Sequence, residues 1–283
     1  MVTPTALTLP VPLQDAAAVT VGPGRVVLLG GLTGSDSSLA TVSLLDSTGV
    51  HPSGLLPEPQ HDAQGALLSG RVYVFGGGEF GSYSHILAYD AAAGLVRKAA
   101  SLPTPTSDAA VAAIAGTAYV VGGYDGERAL NTIVAWRPGM TPQIVARLPY
   151  ALRYAAVAAT GGQLLIVGGS RGEVATSGIL AFDPGSGLVR HIGDMPSPIT
   201  HAAAAALGSY VYVFGGRGAA PDSQSRAIFA IDPKNGRVLG AGALPVGLSD
   251  ASAALVGGRI WLIGGRSASG TVTSVLALAP AGR

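Results

Sequence analysis

The chain has 283 residues, 48% of them hydrophobic and only 12% charged, with 42 glycines and no cysteine. Such a composition excludes a disordered chain, which needs low hydrophobicity and high net charge, and glycine at about twice its usual share argues against helices. Seventeen basic against sixteen acidic residues leave a net charge of +1 with no basic run, so nucleic acid is not an expected partner. Without cysteine there is no disulfide, zinc–thiolate site or thiol nucleophile. The longest uncharged apolar stretch, Ala109 to Gly123, is too short for a spanning helix of about 20 residues, and no leader segment is expected. The compartment stays open between cytoplasm and an exported domain.

Taken in order, the elements repeat. A hydrophobic run closing in Gly-Gly occurs six times: VVLLGG to Gly31, VYVFGG to Gly77, AYVVGG to Gly123, LLIVGG to Gly169, VYVFGG to Gly216 and IWLIGG to Gly265. The intervals are 46, 46, 46, 47 and 49 residues. A second marker keeps step with it at Leu9-Pro10, Leu56-Pro57, Leu102-Pro103, Leu148-Pro149, Met195-Pro196 and Leu244-Pro245. Between the two markers lies an alanine-rich run, and after Gly-Gly come a polar loop and a third apolar run that often ends in Asp.

Each period therefore predicts four short strands: a narrow alanine-rich one, a Val/Ile/Tyr/Phe-rich one stopped by Gly-Gly, a third, and a short fourth before the next Leu-Pro. Radial repetition of four-stranded antiparallel units predicts an all-β, six-bladed propeller. Alanine suits strands that crowd a central axis. A helical solenoid is rejected by the Gly-Gly stop in every period. The expected repeats are 9–55, 56–101, 102–147, 148–194, 195–243 and 244–283 with 1–8, forming a single unit. The last repeat lacks a fourth strand, and Val2–Thr8 is expected to supply it and close the ring.

The six Gly-Gly pairs, the Tyr-Val-Phe-Gly-Gly endings, Tyr89-Asp90, Phe182-Asp183 and the Leu-Pro starts resemble those of Kelch-repeat β-propellers over essentially the whole chain. The resemblance implies the fold and leaves function open, because such propellers serve as binding scaffolds and as enzymes. Two departures stand out. The tryptophan common in the fourth strand is missing, with Trp136 and Trp261 in third and second strands instead. The arginine that helps bind acidic peptides is replaced by Leu13, Gln60, Thr106, Leu152, Ile199 and Leu248.

In such a blade the loop before the first strand and the loop after the second emerge on one face. There Asp15, Asp62, Asp108, Tyr154, His201 and Asp250 form a ring, six residues after each Leu-Pro start. Asp15, Asp62, Asp108 and Asp250 are candidate oxygen ligands for a hard cation such as Ca²⁺, or else each Asp side chain caps neighbouring backbone N–H groups. The loops after Gly-Gly add Glu79, Phe80, Tyr83, Tyr124, Asp125, Arg171, Arg217 and Arg266, joined by Arg153, Tyr154 and His201 as candidate ligand contacts. No cofactor is expected. Gly76 to Gly81 matches G-x-G-x-x-G, but no helix follows to hold a pyrophosphate.

The preferred expectation is a non-enzymatic binding or protein-interaction scaffold, a monomer taking a protein, a peptide or a carbohydrate-like small ligand. The alternative is a sugar-active enzyme of mutarotase or epimerase type, which the resemblance allows. A further alternative is a structural domain of a larger exported bacterial protein. A pocket holding a carboxylate of raised pKa would favour the enzyme; an exposed aromatic–arginine cluster without one would favour the binder.

Overall fold

The structure, a computed structural model, describes residues 2–279. It is all-β, and six four-stranded antiparallel sheets form the blades of a propeller. The first blade runs Ala17–Gly22, Arg25–Leu29, Leu39–Asp46 and Gly49–Gln60, and the third Ala110–Ile114, Thr117–Val121, Thr132–Trp136 and Gln143–Arg147. In the sixth, Ser252–Val256, Arg259–Ile263 and Ser274–Leu278 are completed by Val2–Thr8, which pairs antiparallel with Ser274–Leu278. The N-terminal strand closes the ring, as the sequence predicts.

Burial within a blade explains its composition. The second strands are covered on both faces by neighbouring blades, so they read as continuous apolar runs rather than alternating ones; Val26 to Leu29 and Leu164 to Val167 are fully buried. Outer strands face solvent and carry the charges, as in Leu95–Ser101. Six hydrophobic clusters fill the seams. In the seam between the second and third blades Trp136 meets the edges of Tyr73 and Phe75, with centroids 4.9 and 5.8 Å away. Trp261 is only partly buried.

The Gly-Gly pair has a steric cause. Both glycines of each pair adopt positive φ. A Cβ on the first would lie 2.4 Å or less from a carbonyl oxygen on the segment that leads into the next blade, Gln60 O for Gly30 and Ile199 O for Gly168. The second glycine donates its N–H to that same carbonyl at 2.8–2.9 Å, from Gly31 to Gln60 and around to Gly265 with Leu13. Six such bonds tie each blade to the segment that leads into the next. The accepting column is the one in which arginine is replaced, and its side chains are buried under the seams.

Third-strand aspartates explain the turn that follows them. Asp46, Asp90, Asp183 and Asp232 each accept a hydrogen bond from the backbone N–H two residues on, which starts the outer strand.

Candidate functional site

Asp15, Asp62, Asp108, Tyr154, His201 and Asp250 all sit in the left-handed region, with φ between 52° and 59°. Each donates its backbone N–H to the carbonyl of its counterpart in the preceding blade, at 2.9–3.2 Å, and Asp15 closes the circle onto Asp250. A continuous ring of six backbone hydrogen bonds therefore surrounds the axis. The residue after each ring position is alanine in every blade. Ala16, Ala63, Ala109, Ala202 and Ala251 pack against the second glycine of their own blade so closely that a Cβ there would clash. In blades two to six the residue before the ring position exchanges a pair of backbone hydrogen bonds with the loop after Gly-Gly, as Thr200 does with Arg217. Both loops of a blade thus meet at one face, as expected.

That face holds a mouth with two lobes over a narrow channel. One lobe, about 270 Å³, lies between Glu79, Phe80, Tyr124 and Arg153. The other, about 360 Å³, lies between Gln14, Arg217, Asp250 and Arg266. Asp62 and Tyr154 border both lobes and the roughly 70 Å³ channel beneath.

The polar groups are fixed. Arg153 donates through Nε to Asp108 Oδ2 at 2.7 Å and its Nη2 ion-pairs with the same oxygen. Its guanidinium lies 4.1 Å from the Tyr124 ring centre and 5.0 Å from that of Tyr154. The Tyr154 ring stacks on His201 at 3.7 Å. Arg217 donates to His201 Nε2 at 3.2 Å, which leaves the proton on Nδ1 to donate to Thr200 Oγ1 at 3.0 Å. Ser249 donates to Asp250 at 2.5 Å.

Burial sets the charge states. It holds the Asp15 carboxyl well above the usual range, and Asp62, Asp250 and Asp108 reinforce it. Asp62 is raised by burial and then by Asp108, both through space and through a hydrogen bond. Asp250 is raised by burial, against Ser249, Arg217 and Arg266. His201 is pushed down to about 3 by burial and by Arg217 and Arg153, so it is neutral at physiological pH. Burial also lowers His61.

Of the sequence-predicted contacts, Glu79, Phe80, Tyr124, Arg153, Tyr154, His201, Arg217 and Arg266 gather at the mouth. Three do not. Tyr83 turns into the seam with the first blade, where its hydroxyl donates to Pro59 O. Asp125 is spent on its own turn, accepting from the N–H groups of Glu127 and Arg128. Arg171 lies on the flank of the fourth blade over the ring of Tyr150.

The ring aspartates also need correction as caps: the backbone, not the side chains, makes the inter-blade bonds. Among the described residues no group of three or more His, Cys, Asp or Glu side chains is set to hold a metal ion. Asp108 is committed to Arg153 instead. Sequence reasoning left out Gln14, Ser107, Thr200 and Ser249, which precede ring positions. The signal was present, since that column (Gln14, His61, Ser107, Arg153, Thr200, Ser249) is polar in all six periods. No helix of the described residues is long and apolar enough to cross a membrane.

Comparison with known proteins agrees with this architecture. The Kelch motif family matches residues 105–139 and 151–196. No curated protein matches significantly in sequence. A solved structure described as the structure of YjhT is similar with a TM-score of 0.81 and 18% identity, over 95% of each chain. At that identity the likeness speaks for the fold. With Kelch motifs in its third and fourth periods and the same blade built six times, the chain is a six-bladed β-propeller that carries Kelch motifs.

Proposed function

We propose that the protein binds a small, polar, carbohydrate-like ligand in the two-lobed mouth. The observation that carries this reading is the convergence of Asp62, Tyr154, Arg153, Arg217 and Arg266 on one concavity whose floor is a closed backbone ring. Fixed donors and acceptors of both signs suit a ligand rich in hydroxyls, and Phe80, 99% exposed at the rim, with Tyr124 offers an apolar face for a sugar ring. The Gln14 side chain, 6% exposed, borders the second lobe and adds an amide there.

A thermal-shift screen against monosaccharides, sialic acids, divalent cations and EDTA tests the reading. Ligand at a hundred times its Kd adds about 2.7 kcal/mol of stability. One sugar class is expected to raise Tm, and Arg217→Ala to abolish the rise. A protein that responds to no sugar and gains a protein partner through the same face would replace this reading with that of an interaction scaffold.

A second reading, a sugar-active enzyme of mutarotase or epimerase type, is favoured by one observation: the buried carboxyls of Asp15 and Asp62 are held above their usual range inside the pocket.

A further inference from the structure

The fourth blade breaks the repeat at three columns at once. Two residues after each Leu-Pro leucine or methionine stand Val11, Glu58, Thr104, Tyr150, Ser197 and Val246. Two residues after each second glycine stand Thr33, Glu79, Asp125, Arg171, Gly218 and Ser267. The residue whose carbonyl accepts from each first glycine is Thr41, His85, Thr132, Gly178, Ala227 or Ser274. Tyrosine, arginine and glycine occupy these columns in the fourth period alone, and the three meet in space. A Cβ on Gly178 would lie 2.9 Å from the Tyr150 hydroxyl, so the missing side chain makes room for the ring. Gly178 lies outside the left-handed region, so its backbone does not itself call for glycine. Arg171 covers the same ring, 4.5 Å from its centre. A repeat copies what the scaffold needs, and departures that fit one another within one period point to a function.

These residues border a cavity of about 800 Å³ on the flank of the blade, larger than either lobe of the mouth and within the range of small-ligand sites. Among the described residues none borders both it and the mouth. Arg171 makes no ion pair among the described residues, and its stacking on Tyr150 holds the guanidinium fork in place for a carboxylate. Asp194, the strand partner of Gly178, supplies the opposite charge. Ser177 Oγ donates to one of its oxygens at 3.1 Å, and His191 Nε2 stands 3.3 Å from the other. The Asp194 side chain is 56% exposed, which leaves lone pairs for a ligand. Val174, Ala175 and Pro198 add an apolar wall.

The geometry points to this cavity as a second binding site, for a di- or tripeptide with both ends free and an apolar side chain. The peptide carboxylate pairs with Arg171, its ammonium with Asp194, and its side chain lies on the apolar wall. A ligand with one charged end would leave the other fixed charge unanswered, and an apolar one would desolvate both.

Isothermal titration calorimetry with Phe-Leu and Leu-Leu-Leu tests the site, alongside the C-terminal amide and the N-acetyl form of each. Both free peptides are expected to bind, and each blocked form to bind about fivefold more weakly. Arg171→Gln is expected to bind the amide as well as the free peptide, and Asp194→Asn to bind the N-acetyl form as well as the free peptide. A substitution that merely loosened the blade would weaken every form alike. Gly178→Ala is expected to displace Tyr150 and weaken all forms. Absence of binding by both free peptides overturns the proposal, as does binding indifferent to the blocking of either end. Binding that survives Arg171→Gln unchanged in its preferences but is lost in Arg217→Ala moves the peptide to the mouth and overturns it as well.

Discussion

At the scale of the residue, the ring carboxyls and His201 impose opposite pH dependences. Asp15 and Asp62 have folded-state pKa values above their unfolded ones, so the native state holds extra protons between the two. Their contribution is present below about pH 4, the unfolded value, and is lost as pH rises through the folded values. His201 behaves in reverse: with a folded value of about 3, its neutral burial costs stability below the unfolded value of about 6.5, and stability rises with pH across that window. Asp62→Asn is therefore expected to raise the urea midpoint at pH 7.5, with the gain shrinking toward pH 4. A gain that does not change with pH would show that the carboxyl is not held protonated. His201→Gln is expected to stabilise only in acid.

Two glycines separate backbone strain from close approach. Gly161, at φ 56°, has nothing within 4 Å of a built Cβ, whereas Gly168, at φ 61°, has Ile199 O at 2.2 Å. Gly161→Ala is expected to cost about 1–2 kcal/mol from the left-handed conformation alone. Gly168→Ala is expected to cost at least about 2 kcal/mol more, because the segment carrying Ile199 must move. Equal losses in chemical denaturation would remove the steric account of the Gly-Gly signature.

At the scale of the element, the four-strand period was legible because its punctuation is steric: Gly-Gly where a neighbouring carbonyl intrudes, Asp where an outer strand begins. Side chains that leave the loops were less legible. Tyr83, Asp125 and Arg171 follow Gly-Gly just as Tyr124 and Arg217 do, but a seam, a tight turn and a neighbouring tyrosine draw them away from the mouth. Loop sequence gives position along the chain and not the direction of a side chain. The left-handed ring residues carried a partial signal, since Asp tolerates that conformation better than most residues. Tyr154 and His201 are held in it by the ring bonds of their neighbours.

Trp136, 2% exposed, is the central plug of one seam. Trp136→Ala is expected to cost about 3–5 kcal/mol, as are Phe75→Ala and Phe214→Ala, while the partly buried Trp261 loses less. Similar losses at both tryptophans would argue against the blade contacts described.

At the scale of the whole molecule, stability depends on closure. Val2–Thr8 covers the edge of Ser274–Leu278, and Leu9 and Leu13 enter the cluster between the sixth and first blades. Removing residues 1–8 is expected to lower Tm and to produce concentration-dependent association in sedimentation, because an unpaired strand edge recruits another chain. A truncated chain that melts and sediments like the parent would show that the strand is dispensable.

The backbone ring at the mouth has a further consequence. Each blade donates to one neighbour and accepts from the other, in a single rotational sense. The aperture is therefore fixed by a count, six, rather than by the dimensions of any one loop. Lengthening or recolouring the outward loops leaves the floor where it is, so this chain can change what it grips without altering how wide it opens.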